Sequence, residues 1–384
     1  MIVYGNKEEI EDYFADPSIN QSYLKQLIKG VEHLEEKEEV LYFKEKGHFV
    51  IGGAVDVFVT QGNTNFDEQY HVATDKKPSD TIMSIVRMIF DGEITDGEAT
   101  TLELNDFGQE ILESVAYHKY QPRWKEETIL KNIIETGSEY FEELKEAHGK
   151  NILSPLEKDI TDHILMSWRS SKYTAPYFQD SLEVDIYYQV PIYFDYEGVP
   201  CKVLLDIVRV NTLLKTIEPV DLKTLGGFTS TFPYSVKSFG YNFQASFYTE
   251  GLKAFIQGRG KCDKLSVITD IEKYTVQSFK FIVETTHTVT NKLTSETRFY
   301  TGRPLVYRLS EEQMELGKYG NPEMYVPTHS KASNKAELAR PVKPIKYKEI
   351  LGFTQALDLY KWHLENGFEE DKNIVESGGT ITIE

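Results

Sequence analysis

The sequence has few cysteines and no long apolar run. Cys201 and Cys262 are its only cysteines among 384 residues, which excludes a four-cysteine zinc site and fits a reducing compartment. No stretch approaches the roughly 18 apolar residues of a membrane-spanning helix. Residues 1–14 lack the basic and then apolar segments of a secretory signal. We therefore expect a soluble, cytoplasmic protein.

Several common catalytic motifs are also missing. The sequence contains no G-x-x-x-x-G-K-[ST], which excludes a P-loop and ATP-driven unwinding, and no dinucleotide-binding glycine pattern follows a predicted strand. Neither G-x-S-x-G nor H-E-x-x-H occurs, which removes the common serine hydrolase and zinc protease classes. The chemistry of the protein has to be sought in other side chains.

The charge balance is acidic, with a formal net charge of −19. Such a charge argues against a protein that coats nucleic acid, because phosphate binding requires a basic surface. The charge balance is reversed between residues 197 and 262, a segment with eight basic residues and five acidic ones. An enzyme that holds one DNA end in a channel can be acidic elsewhere on its surface.

Two predicted strands in this locally basic segment carry carboxylates. The first, at residues 203–208, is an apolar run interrupted by Asp206, and a buried carboxylate requires a partner or a metal. The second, at residues 217–224, carries Asp221 and Lys223, which lie two apart and must share one face. A metal-dependent phosphodiesterase uses acidic oxygens to hold Mg²⁺ and a nearby ammonium to orient or deprotonate the attacking water.

A helix is predicted over residues 234–256, after a loop of Gly, Ser and Thr residues. Its candidate functional residues follow one another at intervals of four, three and four, so they share one stripe. They are Lys237, Tyr241, Gln244 and Tyr248. The stripe is polar and aromatic rather than aliphatic, which favours a surface that faces a substrate.

The ordered set of strand, strand and helix resembles the PD-(D/E)XK nuclease superfamily, in the branch of exodeoxyribonuclease VIII (RecE-like), lambda exonuclease and RecB-type nuclease domains. D-x-K alone is frequent by chance, so the order and spacing carry the resemblance. The matching residues are Asp206, Asp221, Lys223, Thr224, Gly240, Tyr241, Gln244 and Tyr248. The resemblance implies that Asp206 and Asp221 bind metal, together with the backbone carbonyl of Leu222. It also implies that Lys223 is catalytic.

The same resemblance implies a function. It suggests a Mg²⁺- or Mn²⁺-dependent exonuclease that degrades one strand of duplex DNA from an end, 5′ to 3′, in phage-type recombination or DNA processing. It implies a ring-like homo-oligomer and a single-strand annealing protein as a partner. The lack of a long apolar run indicates no membrane association. The DNA contacts are assigned to five residues: Gln244, Tyr248, Tyr241, Lys237 and Thr224.

The upstream metal ligand departs from the family pattern. In the exodeoxyribonuclease VIII group, a small-residue segment begins a helix whose histidine faces the metal. Here the similar segment contains Gly52 and Gly53, and the aligned residue is Asp56. Aspartate suits Mg²⁺ or Mn²⁺, since hard cations prefer oxygen ligands. His163 and Glu183 are alternative candidates for this ligand.

The sequence predicts an α/β protein with a restriction-endonuclease-like core, in which helices flank a mixed central sheet. We divide it into a mainly helical part that contributes to the site (1–149), the nuclease core (150–327), and a linker or arm with a C-terminal extension (328–384). Strands downstream of the long helix are predicted at residues 265–269, 279–285 and 304–309.

Two other functions are compatible with this pattern. An endonuclease or a single-strand nuclease of the same fold would use the same residues. A non-catalytic interaction protein could retain the fold and bind a partner through its acidic surface. The intact set of Asp206, Asp221 and Lys223 argues against the interaction protein, because a scaffold does not require two carboxylates to converge with a lysine.

Overall fold

The computed structural model describes residues 1–34, 47–74, 77–93, 101–291, 293–294, 296–321 and 350–377. The chain is a mixed α/β structure in which helices flank a central mixed sheet, as the sequence predicts. The linker predicted at residues 328–348 lies outside the described residues.

The helices lie on both faces of the sheet and in an additional helical layer. Their bounds are α1 (Lys7–Ala15), α2 (Gln21–Leu27), α3 (Gly47–Thr60), α4 (Gly62–Gln69), α5 (Asp80–Glu93), α6 (Gly108–Tyr117), α7 (Glu126–Ala147), α8 (Pro155–Ser170), α9 (Phe232–Phe239), α10 (Tyr241–Ile256), α11 (Asp263–Ser266), α12 (Glu311–Tyr319), α13 (Phe353–Asn366) and α14 (Lys372–Glu376). Across the described ranges, no helix combines the length and apolar character needed to cross a membrane.

The strands form one large sheet and two short pairs. Their bounds are β1 (Ile2–Val3), β2 (Tyr70–Val72), β3 (Asn151–Leu153), β4 (Val184–Tyr196), β5 (Val199–Asn211), β6 (Thr216–Leu225), β7 (Gly260–Lys261), β8 (Thr275–Val276), β9 (Lys280–Thr285), β10 (Thr288–Thr290), β11 (Thr297–Phe299) and β12 (Leu305–Arg308). The large sheet has the order β1-β4-β5-β6-β9-β12, with β7 and β8 beside β4 and β6.

The centre of the large sheet is an antiparallel meander of β4, β5 and β6. Glu197 and Gly198 both have positive φ, of 52° and 87°, and form the two-residue turn between β4 and β5. Such turns match the right-handed twist of the flanking strands. β9 lies parallel to β6, so the chain must cross over between them, and α9 and α10 belong to that crossover.

The regular alternation of faces is interrupted at one level of this meander. Leu205 and Val208 of β5 belong to the same hydrophobic cluster although they are three residues apart, so the faces switch at Asp206. On β4, the facing residue is Gln189, which has a left-handed φ of 46°. The β4–β5 ladder is paired on either side of this level but not at it. The distortion therefore lies beside a predicted metal ligand.

Hydrophobic packing defines the layers around the sheet. Phe247 and Leu252 of α10 belong to the cluster on one face. Val55 of α3 and Trp168 of α8 belong to the cluster on the other face. α5, α6 and α7 enclose a separate cluster that includes Phe141. The sheet is thus covered on both sides, and α3 lies on the face opposite α10.

The prediction of one continuous helix over residues 234–256 is wrong. α9 ends at Phe239, Gly240 has φ 61° and ψ 46°, and α10 begins at Tyr241. A glycine in the left-handed region ends a helix without a steric penalty. Lys237 therefore belongs to α9, where it is exposed, and does not continue the stripe that contains Gln244 and Tyr248.

The strand predicted at residues 265–269 is also wrong. This segment includes the end of the short helix α11, and Leu265 is buried there. A short apolar run is compatible with either element, so periodicity does not distinguish them. The strands predicted at 279–285 and 304–309 are confirmed as β9 and β12.

Gly317 allows α12 to lie directly against α10. A Cβ at position 317 would lie 2.1 Å from the carbonyl oxygen of Asn242. We expect Gly317→Ala to lower the free energy of unfolding by about 1–3 kcal/mol, as overpacking of a tight contact does. Denaturant titration at constant m-value would measure the change. As a control, the added Cβ of Gly92→Ala in α5 meets no atom of the described residues within 4 Å, and this change should raise the free energy of unfolding by about 0.5–1 kcal/mol. Equal effects of the two changes would contradict the packing.

Candidate active site

Asp206 and Asp221 lie where two central strands diverge. The β5–β6 pairing runs from Asn211 and Thr216 to Ile207 and Val220, and the next facing positions are Asp206 and Asp221. There the ladder ends. The backbone amide of Leu222 donates a 2.8 Å hydrogen bond to Asp206 Oδ2, so a carboxylate occupies the opening between the strands.

Asp221 is almost completely buried. Its Oδ1 accepts a hydrogen bond, whereas Oδ2 has an ion pair but no hydrogen bond among the described residues. Its side chain is 2% exposed. Lys223 Nζ lies 2.5 Å from Oδ2, and Gln244 Nε2 of α10 donates a 2.7 Å hydrogen bond to Oδ1. The Lys223 ammonium also lies 5.0 Å from the centre of the Tyr241 ring. Asp221, Lys223, Gln244 and Tyr241 therefore form one contact network between β6 and α10.

Asp56 reaches the same region from α3, on the other side of the sheet. The absence of a side chain at Gly52 lets α3 approach β6, since a Cβ there would lie 3.1 Å from Thr224 Oγ1. Gln189 Nε2 donates a 3.0 Å hydrogen bond to Asp56 Oδ2. Asp56 Oδ1 is buried and has no hydrogen-bond partner among the residues that the structure describes. A buried carboxylate oxygen without a donor is costly unless a cation or a ligand satisfies it.

The three carboxylates perturb one another. Burial, and then the charge of Asp221, raise the pKa of Asp56 to about 7, against the effects of Lys223 and Gln189. Burial and the charges of Asp221 and Asp56 also raise the pKa of Asp206. Burial alone would lower the pKa of Lys223, but Asp221 and Asp206 outweigh it and raise that pKa. The site thus combines mutually repelling acids with a firmly protonated lysine.

These residues fit a divalent cation. The unpartnered oxygen of Asp56 and the neighbouring carboxylates of Asp206 and Asp221 are hard oxygen ligands, which suit Mg²⁺ or Mn²⁺. Asp221 can bind a cation while it contacts Lys223, because each carboxylate oxygen accepts more than one partner. The contribution of the Leu222 carbonyl stays a prediction, and the residue itself is 9% exposed.

A different group in the described ranges has tighter spacing. Potential ligand atoms of His71, Glu143 and Glu146 lie within 4.8 Å of one another, a criterion that the three aspartates do not meet. Glu143 already accepts hydrogen bonds from the amide and hydroxyl of Thr74 and pairs with His71 Nε2 at 2.7 Å. These contacts give Glu143 a structural role, in which it fastens α7 to the segment after β2.

A cavity of about 360 Å³ opens beside Asp56 and Asp206. Gln189 and Tyr248 also line it, and α1, α2 and α4 supply most of the remaining wall. Tyr248 is 9% exposed, and burial, the largest influence, raises the pKa of its hydroxyl. A small molecule or part of a polymer can therefore reach two of the three carboxylates.

The other sequence candidates lie farther from this cavity. Thr224 faces α3 through its contact with Gly52 rather than α10. His163 stacks on Phe299 with ring centres 4.1 Å apart, and its Nδ1 pairs with the carbonyl of Asp159. Glu183 is exposed next to the start of β4. Neither His163 nor Glu183 lines the cavity, and Asp56 is the candidate that the structure brings to Asp206.

Sequence reasoning missed two residues at this site. Gln189 is the one amide in β4, a strand of mostly β-branched and aromatic residues, and this is a signal that could have indicated its position opposite Asp206. Lys25 of α2 gave no signal, because it is distant in sequence and lies in an ordinary polar helix. Burial and the charge of Lys223 lower the pKa of Lys25 to about 8, against the effect of Asp221.

Neither a protein-family model nor a curated protein matches the chain. Three carboxylates from α3, β5 and β6 converge beside two lysines, and a cavity gives access to two of the carboxylates, Asp56 and Asp206. Phosphate-ester hydrolysis with a divalent cation is the chemistry that this combination can perform.

Proposed function

We propose that the protein is a Mg²⁺- or Mn²⁺-dependent exodeoxyribonuclease with a PD-(D/E)XK-type core, which degrades one strand of duplex DNA from an end. The observation that carries the proposal is the convergence of Asp206 and Asp221 at the point where β5 and β6 diverge, with Lys223 at 2.5 Å from Asp221. Asp56 and its unpartnered oxygen support it. The resemblance of the ordered motif supports the class of substrate.

Each side chain has a distinct role in this proposal. Asp56, Asp206 and Asp221 would hold the cation, which supplies charge stabilisation at the phosphate when bound. The Lys223 ammonium donates hydrogen bonds to the reacting phosphate or to the attacking water, and its positive charge offsets the charge that develops there. Gln244 holds Asp221 in place through its 2.7 Å hydrogen bond.

Lys25 provides a second positive charge for the DNA backbone. Its ammonium donates a 2.9 Å hydrogen bond to the carbonyl of Phe239, next to Gly240. We expect Lys25→Met to raise the KM for linear DNA about 10-fold with little change in kcat, the loss of one charge-assisted contact. The control is Lys29→Met, which removes the next lysine along the chain, an exposed one. Similar KM values for the two variants would contradict the role of Lys25.

Linear and covalently closed circular duplex DNA distinguish an exonuclease from an endonuclease. We expect the purified protein with Mg²⁺ or Mn²⁺ to degrade linear duplex DNA and to leave the closed circle intact. Chelation by EDTA should stop the reaction. Cutting of the closed circle would remove the exonuclease proposal in favour of an endonuclease. An intact linear substrate under all metal conditions would favour a non-catalytic interaction protein.

Assembly and partners form part of the same proposal. A ring-like homo-oligomer would enclose the DNA and keep the enzyme on its end, and a single-strand annealing protein would bind the strand left behind. Light scattering of the protein alone and with DNA would measure the first property. A monomer in both conditions would remove the ring from the proposal and leave the chemistry unaffected.

A further inference from the structure

We propose that the cavity beside Asp206 is a binding site for one unpaired nucleobase at the DNA end, formed by residues of α1 and α2. This inference rests on the proposed nuclease function and deepens it, because it specifies what part of the substrate occupies the cavity. The residues concerned are outside the strands and the helix on which the motif resemblance depends. They are Ile10, Tyr13, Phe14 and Gln21.

The wall supplied by α1 is aromatic and apolar. Ile10, Tyr13 and Phe14 all line the cavity. Tyr13 is 4% exposed and lies edge-on to Phe14, with ring centres 5.4 Å apart, so it supports that ring. Phe14 itself is 68% exposed. An exposed aromatic ring beside a polar cavity is suited to stacking on a base, since every nucleobase has a π face.

Polar side chains also line the cavity, and one of them has an oxygen without a hydrogen-bond donor among the described residues. Gln21, at the start of α2, has a buried Oε1 that finds no hydrogen-bond partner in the part of the chain that the structure describes. Side-chain amides of Gln61, Gln69 and Gln189 line other parts of the wall. The edge of a nucleobase carries N–H donors and acceptors, and a buried amide oxygen gains a partner when it accepts one of those donors.

The size of the cavity limits its occupant. About 360 Å³ lies at the low end of the roughly 300–1,000 Å³ found for small-molecule sites. One nucleotide fits such a volume, whereas a base pair held in a duplex does not. The base that enters must therefore be unpaired before the neighbouring phosphodiester reaches Asp56 and Asp206.

Charge on α1 indicates that the DNA strand ends in this cavity. The outer side of α1 is exposed and acidic at Glu8, Glu11 and Asp12, and its single basic residue, Lys7, lies 3.9 Å from Glu11. Phosphates that continued past the cavity would meet this negative surface. A terminal nucleotide avoids the repulsion, because no further phosphodiester follows it.

Fluorescence of 2-aminopurine tests the site without any cleavage. The probe is placed as the unpaired terminal base of a short duplex and titrated with the protein in EDTA. We expect the probe's fluorescence to be quenched on binding. Phe14→Ala should raise the Kd about 5-fold or more and abolish most of the quenching. Phe14→Trp should retain both. Tyr117→Ala, which removes an exposed aromatic side chain on α6, should match the wild type.

Degradation of linear DNA with an abasic terminal nucleotide gives a second readout. The wild type should lose as much activity on the abasic substrate as Phe14→Ala loses on normal DNA. Phe14→Ala should degrade the abasic substrate and normal DNA at the same rate. The base site is refuted if Phe14→Ala binds the probe and quenches its fluorescence like the wild type, while the wild type degrades linear DNA. If instead no DNA is degraded but quenching depends on Phe14, the proposed nuclease function fails and the base site stands.

Discussion

Replacement of Asp221 by asparagine is expected to lower the rate of linear DNA degradation by about 10³-fold or more. The change keeps the size of the side chain and its acceptor for Gln244, but it removes the charge that lies 2.5 Å from Lys223 Nζ. It also removes one of the carboxylates proposed to hold the cation, and loss of such electrostatic stabilisation has effects of roughly this size. Single-turnover rates on linear duplex DNA in Mg²⁺ would measure it.

Glu183→Gln is the matched control for this change. It neutralises another acidic side chain, one that the sequence also offered as a metal ligand, but Glu183 is exposed and does not line the cavity. We expect it to retain nearly full activity. A large loss of activity in Glu183→Gln, together with an active Asp221→Asn protein, would contradict the proposed role of Asp221 as a metal ligand.

Replacement of Lys223 by methionine is expected to reduce activity by about 10²–10⁴-fold, the range for a group that assists proton transfer or stabilises charge at the reacting centre. The change should also lower the free energy of unfolding. It leaves Asp221, which is 2% exposed, without its ammonium partner. Breaking a fully buried pair costs roughly 3–5 kcal/mol, and the cost should be smaller here because Lys223 is 19% exposed.

The double variant Asp221→Asn/Lys223→Met separates folding from chemistry. With the charge at position 221 removed, the cost of losing the ammonium disappears, so its stability should exceed that of Lys223→Met alone. Its activity should stay as low as that of the single variants. Unchanged DNA degradation by a folded Lys223→Met protein would refute the catalytic assignment.

The strands that carry the site could be predicted because strand formation and the common face of two side chains depend on residues close together in the sequence. β-branched and aromatic runs form β4, β5 and β6, and the two-residue spacing of Asp221 and Lys223 fixes their common face. The helix break could not be placed from periodicity, because residues on both sides of Gly240 have helical spacing. The left-handed conformation of that glycine depends on the packing of α9 and α10 around it.

The contributions of Lys25 and Gln189 could not be predicted, because they depend on contacts between distant parts of the chain. Lys25 approaches the site through α2, and Gln189 points to Asp56 through an irregular position in β4. Single-sequence patterns describe which face of an element is polar. They do not describe which element covers that face.

Asp56, Asp206 and Asp221 are proposed to share one divalent cation. A crystal soaked in Mn²⁺, with the ion located by its anomalous scattering, tests this claim most directly. We predict one Mn²⁺ within bonding distance of carboxylate oxygens from all three residues, with Lys223 beside it. A cation bound instead by His71, Glu143 and Glu146, or no cation at the three aspartates, would contradict the claim.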